Sequence, residues 1–426
     1  MTLPATWIER LFFICCLCPY LLYFAGAASL ASALLALPLI AVGVLVILRR
    51  GLRLPMLSLV WLVCCLGILV EEVIALNQRG VGLKHLPWWF LTYGLAAFLP
   101  MVGSLIRPAV ISTAAALLGI QTLLYVGVAL LCTAAGIIES VEYRSLLPAS
   151  AMGNKALLQI HLLAPDYVFD REWRLVGFAP YTPFAGATAI LFSMVCLSMR
   201  HHWVKWLGLA GWLSLLICTH SRMGVVAMSS CCGLYLACRY GRRYFGLLAG
   251  LGLLAASLLT GPILHYREKA SSAVHSARLN SSQDRENLRS IAWENWLHGD
   301  HPLIGAGESA AGGKIVNQVY IGDLDSLGAI LYVRGALGLG FTLLPILLTW
   351  VYGFSGGGHP WFRSLACIAM AMLFYCYSQS IKDLFSYFWP ALLFIGAVAY
   401  RDPAHRPHHH PASKPQPNPL PQAALS

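Results

Sequence analysis

The sequence predicts an all-α, polytopic helical membrane protein with about twelve transmembrane helices and a large, partly helical outer loop, and three observations predict it. The first is composition: of 426 residues, 58% are hydrophobic and only 11% charged, where a soluble domain carries about 25% charged residues. The second is the recurrence of apolar runs long enough to cross about 30 Å of hydrocarbon. The third is that basic residues fall in short clusters between those runs, the positive-inside pattern of membrane insertion.

Taken in order, the apolar runs cover 11–28, 30–48, 56–76, 88–106, 110–137, 184–199, 206–220, 223–238, 245–264, 327–354, 364–381 and 386–400. A cytoplasmic N-terminus then places Arg49, Arg50 and Arg53 inside, together with Arg107, Arg200, Lys205, Arg239, Arg242 and Arg243. The opposite orientation would put nearly all of them outside. The first run continues straight into a second, so it reads as a signal anchor and not a cleaved leader. Residues 1–400 therefore form one membrane domain, with two long loops facing out, 138–183 and 265–326. Loops of that length are usually functional or disordered, and the Trp, Pro and apolar residues in both predict packed structure. The tail 401–426, with its HRPHHHPASKPQPNPLPQ stretch, cannot build a core and reads as disordered and cytoplasmic. His408, His409 and His410 there are metal-capable, but a solvated tail accounts for them.

The clustering also explains the net charge of +11 without invoking nucleic acid, which is not expected as a partner. All 13 cysteines lie in or beside apolar runs, where they pack as small apolar side chains. No disulfide framework or metal spacing appears among them.

The residues that can carry chemistry cluster in the outer segments. Ser221 and Arg222 occupy a tight turn between two runs. A guanidinium close to hydrocarbon usually has an anionic partner, although an arginine snorkelling to the interface needs none. Arg289 begins a stretch with Trp293 and Trp296 at helical spacing, followed by a Pro302, Gly305, Gly307 turn. That pattern predicts an amphipathic helix at the membrane surface whose arginine meets either a bound anion or lipid headgroups. Guanidinium forks match phosphate oxygens, and arginines from separate loops make the stronger case together. Asp323 and Asp325 form a DxD pair just before a run. Such a pair can hold a divalent cation, or one carboxylate can act as a general base, but loop aspartates are more often simply solvated. Several histidines also face out: His85, His161, His220, His265, His275, His298 and His301. Of these, His220 stands out because it adjoins Arg222. Glu71 and Glu72, in the outer half of the third run, can orient an arginine, with a structural ion pair as the plainer account. Lys382 and Asp383 either flank the cavity mouth or neutralise one another.

With these residues in place, the chain resembles the O-antigen ligase/polymerase superfamily of bacterial membrane glycosyltransferases over roughly residues 170–345. Four pieces carry the resemblance in the family's order: RLVGFAPYTPFAGA at 174–187, the Ser221–Arg222 step, R-x-x-x-W running to HPLIGAG at 289–307, and RGALGLG at 334–340. The resemblance implies a GT-C-like fold in the bacterial inner membrane with its active site facing the periplasm. It implies as donor an oligosaccharide linked to undecaprenyl diphosphate, whose anomeric carbon is attacked, with inversion, by a hydroxyl of an acceptor glycan. Nucleotide sugars, cofactors and metals are not expected. Carried over by motif, Arg222, Arg289 and Arg174 would hold the diphosphate, and Asp325, Asp323 or His220 would serve as base. Membrane lipids are further partners, as is a chain-length-regulating co-polymerase if the chain is a polymerase.

Ligases of this family place a His-Asn pair where this chain has Asp323-Leu324-Asp325-Ser326. That departure favours a polymerase of O-antigen, capsule or exopolysaccharide repeats over a ligase acting on lipid A-core. Two readings from other classes compete: a polysaccharide or lipid transporter or flippase, and a non-catalytic membrane scaffold. Transporters show repeats and charges at the membrane midplane, whereas here the polar residues sit in outer loops.

Overall fold

The computed structural model describes residues 2–25, 31–78, 90–136, 142–144, 159–161, 163–165, 173–179, 182–200, 202–240, 290–299, 302–305, 326–356, 359–378 and 389–401. Their architecture is a helical bundle of membrane type. In chain order the helices are α1 (Trp7–Leu17), α2 (Pro19–Phe24), α3 (Ala31–Arg50), α4 (Met56–Gln78), a π-helical turn (Phe90–Gly94), α5 (Leu95–Gly103) and α6 (Pro108–Ala134). After four short strands come α7 (Thr182–Leu197), α8 (Trp203–Cys218), α9 (Arg222–Tyr240), α10 (290–297), α11 (Ser326–Ser355), α12 (Pro360–Ser378) and α13 (Trp389–Tyr400).

Among the described residues, three helices are long and apolar enough to cross a membrane unaided, over Met56–Ile74, Pro108–Ala134 and Ile330–Ser355. Shorter apolar helices cover Thr182–Leu197, Trp203–Cys218, Pro360–Cys376 and Trp389–Tyr400. Leu48, Leu124, Leu131 and Ile217 stand on helix surfaces largely exposed to the surroundings. Leucines and isoleucines displayed this way suit contact with lipid tails, which solvate them as water cannot.

The structure departs from the expected elements in two places. The run 11–28 is not one helix: it breaks between α1 and α2 at Cys18, because Pro19 has no N–H to continue the ladder. The run 88–106 begins as the π-helical turn before becoming α5. The loop 138–183 has strands as its regular structure where described, up to the start of α7 at Thr182. It holds two antiparallel pairs, β1 (Glu142–Arg144) with β2 (Gln159–His161) and β3 (Leu163–Pro165) with β4 (Trp173–Leu175). The expected span 245–264 and the tail from 402 onward lie outside the described residues.

Close backbone packing assembles the bundle. α6 crosses α8 at Gly119, Gly208 and Gly211, where a Cβ on Gly208 would meet the Ala116 Cα at 2.7 Å. Small residues let membrane helices approach in this way, since lipid tails supply no hydrophobic drive between them. Trp212 fills the space beside that crossing, stacking on Phe192 at 4.8 Å and donating its indole N–H to the Ala115 carbonyl at 3.0 Å. On the far side of the bundle, the Cys231 and Cys367 thiols each donate to the other's main-chain carbonyl at 3.3 Å, tying α9 to α12.

The register between α4 and α11 fixes the ends of the molecule. The Trp61 indole donates to Thr349 Oγ1 at 2.9 Å, Gly67 lies under the Phe341 ring, and Glu72 meets Arg334 at 2.7 Å. The two helices are therefore antiparallel, and Glu72 and Arg334 lie at the end away from Arg49, Arg50 and Arg53. Tyr375, near the close of α12, flanks Gly186 together with Ser221. That contact brings the α8–α9 turn to the same end as Arg334. At the basic end, Arg107 donates to both carboxylate oxygens of Glu9 at 2.8 and 2.9 Å and to the Leu3 carbonyl, clamping the start of α1 to the start of α6. The bundle thus has a basic end and an opposite end that holds the α8–α9 turn and Arg334.

Candidate functional site

The α8–α9 turn is built by local chemistry. α8 closes with the Thr219 amide donating to the Leu215 carbonyl at 2.9 Å and its hydroxyl to the Leu216 carbonyl at 2.8 Å. His220 then takes the left-handed conformation at φ 50°, a region that histidine enters more readily than most residues. Its side chain is exposed. Ser221 is buried, and its hydroxyl accepts the Gly224 amide at 3.2 Å. This is the N-cap arrangement serine favours. It leaves Arg222 at the first position of a 19-residue helix. The amides of a helix's first turn have no internal acceptors, and the helix dipole adds positive potential there, so the backbone itself attracts anions.

Arg174 reaches this end from a different element. It lies in the middle of β4, opposite Ala164 of β3, and is half-buried. β4 rests on α7 and α8. The residues that follow seat it: Leu175, Val176, Phe178 and Ala179 are all buried, with the Phe178 ring 5.1 Å from Tyr20 and 6.3 Å from Trp212. The strand that bears Arg174 and the helix that begins at Arg222 therefore both rest against α8. Arg289, Asp323 and Asp325 lie outside the described residues, as do Gly307, Lys382 and Asp383.

A second polar centre occupies the same end, and its arginine was not singled out in the sequence. Arg334, on α11, is 3% exposed and pairs with Glu72 of α4, itself 2% exposed, at 2.7 Å. Its guanidinium also lies over the Tyr93 ring of the π-helical turn, 4.5 Å from the centroid. Neighbouring Glu71 is buried as well, and neither of its oxygens accepts a hydrogen bond among the described residues. Of the two roles open to the glutamates, Glu72 takes both at once: it is half of a buried ion pair, and it orients an arginine.

Directly after Arg334, α11 breaks. Gly335 has φ 63° and ψ −167°, outside the helical region. The amides of Ala336 and Leu337, deprived of helical acceptors, donate instead to the carbonyls of Pro302 and Leu303 at 2.9 and 3.1 Å. The Pro302 carbonyl uses its second lone pair to accept the Trp296 indole N–H at 2.8 Å. Gly305, at φ 73°, faces Gly335 so closely that a side chain on either would run into the other's backbone. The turn 302–305 and the start of RGALGLG, far apart in the chain, are thus one joint. The helical spacing of Trp293 and Trp296 is seen in α10, their rings 5.3 Å apart, with Trp293 and Leu297 exposed and Ala292 buried.

Residues 207–328 match the family model described as O-Antigen ligase. The matched segment contains His220, Ser221, Arg222, Arg289, α10, the 302–305 turn, Asp323 and Asp325, while Arg174 precedes it and Arg334 follows it. No curated protein matches the chain.

Proposed function

The match over residues 207–328 supports placing this chain in the O-antigen ligase/polymerase superfamily, and on that premise we propose that it is a glycosyltransferase working at the outer face of the bacterial inner membrane. The donor is an oligosaccharide on undecaprenyl diphosphate, and the acceptor is a glycan hydroxyl. In the reaction the acceptor oxygen bonds to the anomeric carbon of the donor. The bond from that carbon to the diphosphate oxygen breaks with inversion, and the departing electron pair stays on the diphosphate. Arg222, Arg289 and Arg174 stabilise the charge that develops there. Preorganised donors in a partly dehydrated site are the largest single contribution to such catalysis. The hydroxyl proton passes to Asp325, Asp323 or His220.

The observation that carries this reading is the start of α9, where Arg222 follows the Ser221 cap at the positive end of the helix within the matched segment. Extension of O-antigen, capsule or exopolysaccharide repeats is the favoured activity, because no histidine stands in the Asp323–Ser326 stretch. Ligation to lipid A-core is the second reading, favoured by the matched family's description.

Deleting the gene and resolving the surface glycans on a gel separates the two. A polymerase leaves a single repeat attached and no ladder. A ligase leaves no attached glycan, and lipid-linked polymer accumulates. An unaltered glycan profile overturns both and returns the transporter and scaffold readings to consideration.

The base is tested independently. Asparagine at Asp325 or at Asp323 is expected to lower kcat by about 10²–10⁴-fold, the usual contribution of a positioned base, with donor binding nearly unchanged. Wild-type turnover in both variants would move the base to His220.

A further inference from the structure

We propose that the Glu72–Arg334–Tyr93 cluster is a latch that positions the outer loop for donor binding, acting through the break in α11. This rests on the proposed function for what the loop is positioned to do, but the latch itself is read from geometry. Arg334 is the last residue before the break at Gly335. Its side chain is held on two other elements at once, by the ion pair to Glu72 at 2.7 Å and by the face of Tyr93 at 4.5 Å. The next two amides, Ala336 and Leu337, carry the loop on their hydrogen bonds to Pro302 and Leu303. Pro302 in turn holds Trp296 of α10, and Ser290, the first described residue of α10, directly follows Arg289 in the sequence.

Each link is short and directional, so displacing the guanidinium displaces the break, and with it the two carbonyls on which the turn hangs. Gly338, one turn on, leaves room for the Glu71 carboxylate: a Cβ there would meet Glu71 Oε2 at 2.8 Å. Arg334 is therefore a positioning residue that acts on the 302–305 turn through the main chain that follows it.

The test uses the full chain in lipid nanodiscs, comparing wild type with Glu72→Gln and Arg334→Lys, and with the charge-reversed pair Glu72→Arg/Arg334→Glu. Hydrogen exchange is followed by mass spectrometry. In the single variants, exchange of the peptide carrying the Ala336 and Leu337 amides, which donate to the turn, is expected to rise roughly tenfold while the other helices keep their protection. The charge-reversed pair should restore part of that protection. With lipid-linked oligosaccharide as the probe, kcat/KM for the donor is expected to fall about 100-fold, the effect of an ångström-scale misplacement, with the acceptor KM unmoved. Unchanged exchange overturns the latch, and so does a rise spread evenly over all helices. A local rise without loss of donor kcat/KM overturns its positioning role. If the wild-type protein transfers no glycan at all, the proposed function fails, while the exchange result still decides whether the latch exists.

Discussion

Alanine at Arg222, or at Arg289, is expected to abolish glycan chain extension without changing the amount of protein in the membrane. Losing one preorganised donor to a developing oxyanion costs about 10²–10³-fold in turnover, and a doubly charged leaving group is at least as demanding. Lysine at either position retains the charge but not the planar fork, so partial activity is expected from it. The measurement is transfer from lipid-linked oligosaccharide in membranes, with protein quantified in parallel. Normal polymer from both alanine variants would remove the anion-holding role on which the proposed chemistry depends. Arg222 is the sharper test, because α9 is capped by Ser221 and not by the arginine. Its loss should therefore spare the helix.

The second large effect concerns stability. Removing one partner of a buried ion pair strands the other charge, at a cost of about 3–5 kcal/mol, whereas replacing both with apolar residues is often neutral or favourable by about 1–4 kcal/mol. Arg334 and Glu72 are buried deeply enough for this to hold. Arg334→Met or Glu72→Leu alone is expected to lower the unfolding temperature in detergent sharply, and the double variant to recover it. If the double variant is no better than the singles, the pair is not energetically isolated, and Glu71 and Tyr93 must be counted with it. Recovered stability with lost donor transfer would show that the charges are kept for placement and not for stability.

Much of the bundle was legible because span length follows from run length. The expected run 56–76 corresponds to Met56–Gln78, 327–354 to Ser326–Ser355, and 206–220 to Trp203–Cys218. The break at Pro19 was missed, because hydropathy alone smooths over a proline that cannot extend the helix. The strands around Arg174 were not legible either, because three-residue pairs are too short to show alternation. At the site, the Ser221–Arg222 step and the Trp293–Trp296 spacing were readable as residue types. The joint between the 302–305 turn and α11 was not, since main-chain hydrogen bonds leave no residue signature beyond the two glycines. Arg334 opens the RGALGLG motif, and Glu71 and Glu72 are carboxylates able to orient an arginine. Pairing them required knowing that α4 and α11 run antiparallel in contact.

His220 offers a way to separate shape from chemistry. Its backbone sits where glycine alone is unstrained, at a cost for other residues of about 1–2 kcal/mol. Alanine there would remove the imidazole and keep the strain, so a loss of activity could be blamed on either. Glycine removes the ring and eases the bend, and the protein should melt later for it. An enzyme that gains heat resistance yet slows would mark that imidazole as kept for use, whereas one that gains and keeps its pace would retire it as a base.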